Sequence, residues 1–201
     1  MHHSDRGSQY VLNHHVGPMH IEYADIGPHK RDVAKSAALL AEAGHTDTEF
    51  ELISIDDNWR RNTTDAAAGQ LRDAGIKVKR TVIPGATFWN DWTKYPFSST
   101  NWNGRPLGVQ ALTLAYKGGA PWNESGYNDA EFDALLEQAL ATPDVEARRA
   151  IMAKLETNLR DAGVIIQPYW RSIYRSFREG VHGYEMHQSF EPHLDKVWLD
   201  G

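Results

Sequence analysis

From Arg31 onward, apolar and polar positions alternate between helical and strand periods. Val33, Ala37, Leu40 and Ala41 recur at helical spacing and Gly44 follows as a terminator, which predicts a helix over 31–43. The run EFELISID, Glu49 to Asp56, is short, largely apolar and β-branched, predicting a buried strand over 49–55, with Asp56, Asp57 and Asn58 as turn and capping residues. A helix over 60–74 carries Ala66, Gln70, Leu71 and Ala74 and stops at Gly75. Ile76, Val78 and Val82 then alternate with Lys77, Lys79 and Thr81, as in a half-exposed strand over 76–82. Strand, helix, strand in this order makes a βαβ unit, whose usual outcome is parallel pairing.

Pro84-Gly85 opens a short helix bearing Phe88, Trp89 and Trp92, and residues 96–102 read as a third strand that ends in the polar turn Asn103-Gly104-Arg105-Pro106. Two amphipathic helices follow. Over 129–141, Phe132, Leu135, Leu136, Ala139 and Leu140 share a face, with Asn128 as cap and Glu131 closing a capping box. Over 144–162, Ile151, Leu155 and Leu159 form the stripe, with Pro143 as first helical residue and Gly163 as stop. Val164 to Pro168 is apolar and β-branched, with Ser172 to Phe177 as a hairpin partner or continuation. The fold class is therefore α/β, a mainly parallel sheet flanked by helices. Residues 1–30 read as a linker or incoming arm, with Met1-His2-His3 compatible with a tag remnant; 31–180 form the α/β unit and 181–201 a C-terminal tail.

Composition narrows the function classes. A length of 201 residues with 41% apolar side chains is enough for a buried core. A formal charge of −6 offers no basic face for a phosphate backbone, so nucleic acid is not an expected partner. No stretch approaches the roughly 20 apolar residues that span a bilayer, and no signal-peptide pattern occurs, so membrane insertion is not expected. The chain has no Cys, which removes disulfides and thiolate chemistry together.

Candidate chemistry is sparse outside one segment. His14, His15 and His20 lack a carboxylate at helical spacing, so they read as solvated linker residues and no metal site is expected. No nucleophile elbow, P-loop, HExxH or dinucleotide fingerprint is present; neither catalysis nor a cofactor has support. Adjacent Asp56 and Asp57 read as caps and not as a catalytic pair. In contrast, Ser98 to Pro106 offers a stacking surface at Trp102, amides at Asn101 and Asn103 and a planar cation at Arg105, at a strand's carboxyl end where ligands of open α/β sheets sit. Trp89 and Trp122 are candidates to wall such a site.

The run DVAKSAALLAEAGH, Asp32 to His45, resembles the Ala-Lys-x-Leu-Leu-x-Glu-Ala-Gly helix of the family 5 bacterial extracellular solute-binding proteins, which bind dipeptides, oligopeptides and nickel. FELISID, AAAGQLRDAGIKVKRTVI, the Phe-Trp helix, the strand ending in Trp102, YNDAEFDALLEQALATPDVEARRAIMAKLE and GVIIQPYW follow in the same order, over about residues 20 to 198. The resemblance implies one lobe, the C-terminal one, of a type II periplasmic clamshell, whose N-terminal lobe and signal peptide this chain does not include. It implies a periplasmic, non-enzymatic binding module that captures a small solute and delivers it to an ABC permease complex. It also implies that Tyr169, Trp170 and Trp198 form an aromatic surface toward the other lobe. Peptide binders of the family typically carry Trp-x-x-Asp in the strand-end turn, whereas here Arg105 stands three residues after Trp102. The reversed charge argues against holding a peptide's ammonium end in the usual way, so the solute expected is a small molecule, peptide-like or anionic. The rival classes are a sensory or protein-interaction domain on the same fold and an enzyme, separable by neighbouring genes and by turnover.

Overall fold

The computed structural model describes residues 13–187 and 189–201. Its first half is the βαβ unit. β1 (Phe50–Ile55) and β2 (Val78–Ile83) pair in parallel, Phe50 opposite Val78 through Ile55 opposite Ile83, and α2 (Asn58–Asp73) connects them. Leu52, Ala68 and Val78 bury the contact between helix and sheet, with Leu71, Ile76 and Phe97 packed around them. α1 (Val33–Glu42), capped by the Asp32 side chain, precedes this unit and buries none of its residues. α3 (Gly85–Asp91) follows β2 and sinks Phe88 completely.

The third strand is shorter than its sequence suggests. Residues 96–102 contribute a single parallel bridge, Ser98 beside Ile53, with Ile53 N–H donating to Phe97 O and Ser99 N–H to Ile53 O. The segment then leaves the ladder because Thr100 and Trp102 turn their polar atoms to the Glu124 side chain.

The second half is a helical layer. α4 (Gly108–Ala115), α5 (Ala130–Leu140) and α6 (Val145–Ala162) bury Leu112, Tyr116, Phe132, Leu136, Met152, Leu155 and Leu159 in one cluster. The caps shift from those expected. Asp129, not Asn128, caps α5 by accepting from Glu131 and Phe132 N–H, so Glu131 closes no capping box; Asp144 caps α6, leaving Pro143 outside the helix. In both cases a carboxylate one residue on takes the free N–H groups. Gly163 ends α6 at φ 64°, a left-handed conformation that costs glycine little.

Against expectation, His14 and His20 are not solvated linker residues. Val16 belongs to the helical core, and His14, His20 and Glu22 are buried. Asn13 Oδ1 accepts from Gln167 N–H, and His15 N–H donates to Gln167 Oε1, so this segment and residues 164–168 hold each other. Val164 to Phe177 forms no ladder among the described residues. Past it, β3 (Val181–His182) and β4 (Trp198–Leu199) make a small antiparallel pair. Tyr169 and Trp198 are 43% and 57% exposed, while Trp170 is half-buried. No helix among the described residues is long and apolar enough to cross a membrane.

Candidate functional site

A cleft of about 480 Å³ runs between the two cores, in the size range of small-molecule sites. Its position follows from the βαβ unit: β1 passes through Asp56-Asp57 directly into α2, so the first turns of α2 stand beyond the strand's carboxyl end. Trp59, Arg60, Thr63 and Thr64 of α2 form one wall, and Tyr95 to Arg105 another. Val164 to Arg171 closes a third side, with His15 at its base beside Trp102 at 5.8 Å between ring centroids.

Two half-buried carboxylates, Glu124 and Asp57, and the guanidinium of Arg60 order this polar wall. Glu124 accepts from Thr100 Oγ1 at 2.8 and 2.7 Å and from Trp102 Nε1 at 2.8 Å, which fixes the indole plane. Burial raises the Glu124 carboxyl above its ordinary range, and the Trp102 and Thr100 donors oppose that rise by favouring the anion. Arg60 Nε donates to Asn101 Oδ1 at 2.8 Å, and its Nη1 pairs with Asp57. The guanidinium carbons of Arg60 and Arg171 lie 4.6 and 4.7 Å from the Trp59 ring centre, at cation–π distance. Thr63 Oγ1 donates to Trp59 O, so the Tyr169 hydroxyl is the donor in its 2.7 Å contact with Thr63 and ties the third wall to α2.

Arg105 is half-buried at the rim. Its Nη1 donates to the carbonyls of Asn103 and Gly104, at 3.0 and 3.2 Å, and it makes no ion pair with a carboxylate among the described residues. A guanidinium has five donors, so the remaining fork is open to an acceptor in the cleft.

Of the residues singled out by sequence, Asn101, Trp102, Asn103 and Arg105 line the cleft together. Trp89 and Trp122 do not line it. They join Trp92 and Trp102 in an edge-on cluster, with Trp102 6.0 Å from both Trp92 and Trp122, and Trp89 6.1 Å from Trp92. This cluster braces Trp102. Sequence reasoning missed Trp59, Arg60, Glu124 and Arg171. The Trp59-Arg60 pair just past a strand-end turn was a usable signal, while Glu124 and Arg171 come from segments with no motif around them.

Residues 6–124 match the model of the bacterial extracellular solute-binding proteins, family 5, middle region. The structure resembles the oligopeptide-binding protein AppA from Bacillus subtilis in complex with a nonapeptide (TM-score 0.74, 18% identity, covering 92% of this chain and 41% of that one). It also resembles a peptide-binding protein AppA from Clostridium difficile (TM-score 0.77, 15% identity, 98% and 43%) and NikZ from Campylobacter jejuni in complex with Ni(L-His) (TM-score 0.60, 21% identity, 69% and 32%). At these identities the likeness is one of fold, that of type II binding proteins. The chain spans about two fifths of the length of the first two and about a third of the third. No curated protein sequence matches it.

Proposed function

We propose a function from one premise: the chain belongs to the bacterial extracellular solute-binding proteins of family 5. It supplies one lobe of a clamshell that captures a small solute outside the cytoplasmic membrane and hands it to an ABC importer's permeases, and it carries out no catalysis itself. The solute is anionic, carrying a carboxylate or phosphate.

The observation that carries this reading is the open fork of Arg105 at the rim of a cleft that Arg171 also lines without a carboxylate partner among the described residues, while Arg60 is paired with Asp57 and Glu124 is held by Thr100 and Trp102. A guanidinium pairs with carboxylate or phosphate through two parallel hydrogen bonds and repels an ammonium. Trp102, held by Glu124, provides a flat apolar face beside it, and Asn101 and Asn103 provide amide groups for orientation. Glu124 is occupied by two donors, the Thr100 hydroxyl and the Trp102 indole N–H, which gives it a positioning role.

Trp59 and Trp102 both line the cleft, so tryptophan emission reports its occupancy. Titration with small carboxylate- and phosphate-bearing solutes should give a saturable change, and amine-bearing analogues of the same size should not. The reverse preference would refute the anionic reading.

A further inference from the structure

Away from the cleft wall formed by residues 95–105, the C-terminal segment gathers three ligands of the kind that hold transition metals. His187, Glu191 and His193 each present one donor atom, and the three atoms lie within 4.8 Å of one another. The two imidazole rings stand edge to face, 5.3 Å apart between centroids. His187 Nδ1 accepts from Ser189 N–H at 3.3 Å, so the ring carries its proton on Nε2; a metal would take Nε2 of the neutral ring once that proton moves to Nδ1 and the long Ser189 hydrogen bond is given up. His193 stands at the start of the 3-10 turn Leu194–Lys196, with its carbonyl accepting from Lys196 N–H, so its backbone is anchored while its ring is free to turn. The Phe190 N–H to His187 O hydrogen bond folds the chain back so that Glu191 comes beside His187.

We propose that His187, Glu191 and His193 form a binding site for a divalent transition metal ion of the zinc or nickel type. Two neutral imidazoles and a carboxylate are the donor set such ions prefer over calcium or magnesium, which favour all-oxygen shells. Metal–nitrogen and metal–oxygen bonds near 2.0–2.2 Å require donor atoms roughly 3 to 3.5 Å apart. The His193 ring and the Glu191 carboxylate are both exposed, so closing from within 4.8 Å to that separation asks for side-chain movement at the surface and no opening of the core. Three protein ligands leave at least one coordination position for water or a small ligand, and the exposure of the site makes the ion exchangeable. None of the three ligands lines the cleft, although their neighbour Phe190 does, so the ion and the cleft solute are separately assayable.

The test is calorimetric titration of the full chain with Zn2+ or Ni2+ alone, without solute or free histidine, followed by Co2+ absorption to report nitrogen and oxygen coordination. One equivalent is expected, with binding lost in His187→Ala and in His193→Ala and weakened at least about tenfold in Glu191→Gln. Because these side chains lie at the surface, metal-free thermal unfolding of the variants should match the parent. Absence of an equivalent would overturn the proposal. So would an equivalent kept in the His187→Ala/His193→Ala double variant and lost in His2→Ala/His3→Ala, which assigns the ion to the amino-terminal histidines.

Discussion

His14 and Glu156 face each other inside the helical layer at 3.6 Å, both essentially without solvent exposure, and their titration sets a pH signature for the whole fold. Val16 N–H donates to His14 Nδ1, so the neutral ring carries its proton on Nε2, pointing toward Glu156. Burial, with Arg160 adding to it, lowers His14 from 6.5 to about 4; burial, with Glu22 adding to it, raises Glu156 from 4.5 to about 8. Below pH 6.5 the unfolded chain takes up the His14 proton first, so stability falls as pH drops toward 4. Above pH 4.5 the unfolded chain releases the Glu156 proton first, so stability falls as pH rises toward 8. The two slopes oppose each other between about 4.5 and 6.5, where His15, lowered by burial to about 4, adds to the His14 rise; above 6.5 the Glu156 loss stands alone. Glu156→Gln should therefore remove the alkaline loss, gaining on the order of 3 kcal/mol at pH 8.5 relative to pH 5, at about 1.4 kcal/mol per pKa unit. Urea unfolding of both proteins at the two pH values checks this; equal pH dependence in the variant would show Glu156 ionised in the fold. Residue-scale roles were legible where they cluster in sequence, as in Asn101 to Arg105. They were illegible where the fold joins distant segments: Glu22 and Glu156 stand in no motif, and both are buried.

Elements built on a sustained period were readable, and those built on short contacts were not. α2, α5, α6 and the β1–β2 pair lie within a few residues of their expected bounds because each carries its own amphipathic stripe or alternation. α4 was not foreseen. Its eight residues, GVQALTLA, place Val109, Leu112 and Ala115 at helical spacing, but the helix is short and its start is marked only by Gln110, whose side chain accepts from Leu107 N–H. Its position depends instead on a tertiary contact. A Cβ at Gly108 would lie 2.6 Å from Val16 Cγ1, so Gly108 is where the amino-terminal segment presses on the helical layer. Gly108→Ala should force Val16 or α4 to move and cost about 1–3 kcal/mol, the usual range for overpacking a buried contact. Thermal unfolding measures it, with Val16→Ala in the same chain expected to recover part of the loss. An unchanged midpoint in Gly108→Ala would mean that the segment is loosely held. The third strand failed for the converse reason, since Thr100 and Trp102 give their polar atoms to Glu124 and only Ser98 stays beside β1.

At the scale of the molecule, two small cores flank one cleft, and Tyr169, Tyr174, Phe177 and Trp198 each expose a large aromatic side chain. Both features fit a lobe that meets a second lobe across its ligand. Fold and family were legible because the order of helices and strands is itself a pattern; the cleft was only half legible because its α2 and 164–171 walls meet the Asn101–Arg105 turn only after folding. Binding of an anionic solute through Arg105 is tested by isothermal titration of the protein from its native host, stripped and reloaded with the solute that co-purifies with it, beside the Arg105→Ala variant. An anionic solute is expected, with an affinity loss of about 2–5 kcal/mol in the variant, as for one partner removed from a desolvated charge pair. A cationic or neutral solute, or an affinity unchanged by the substitution, would contradict it.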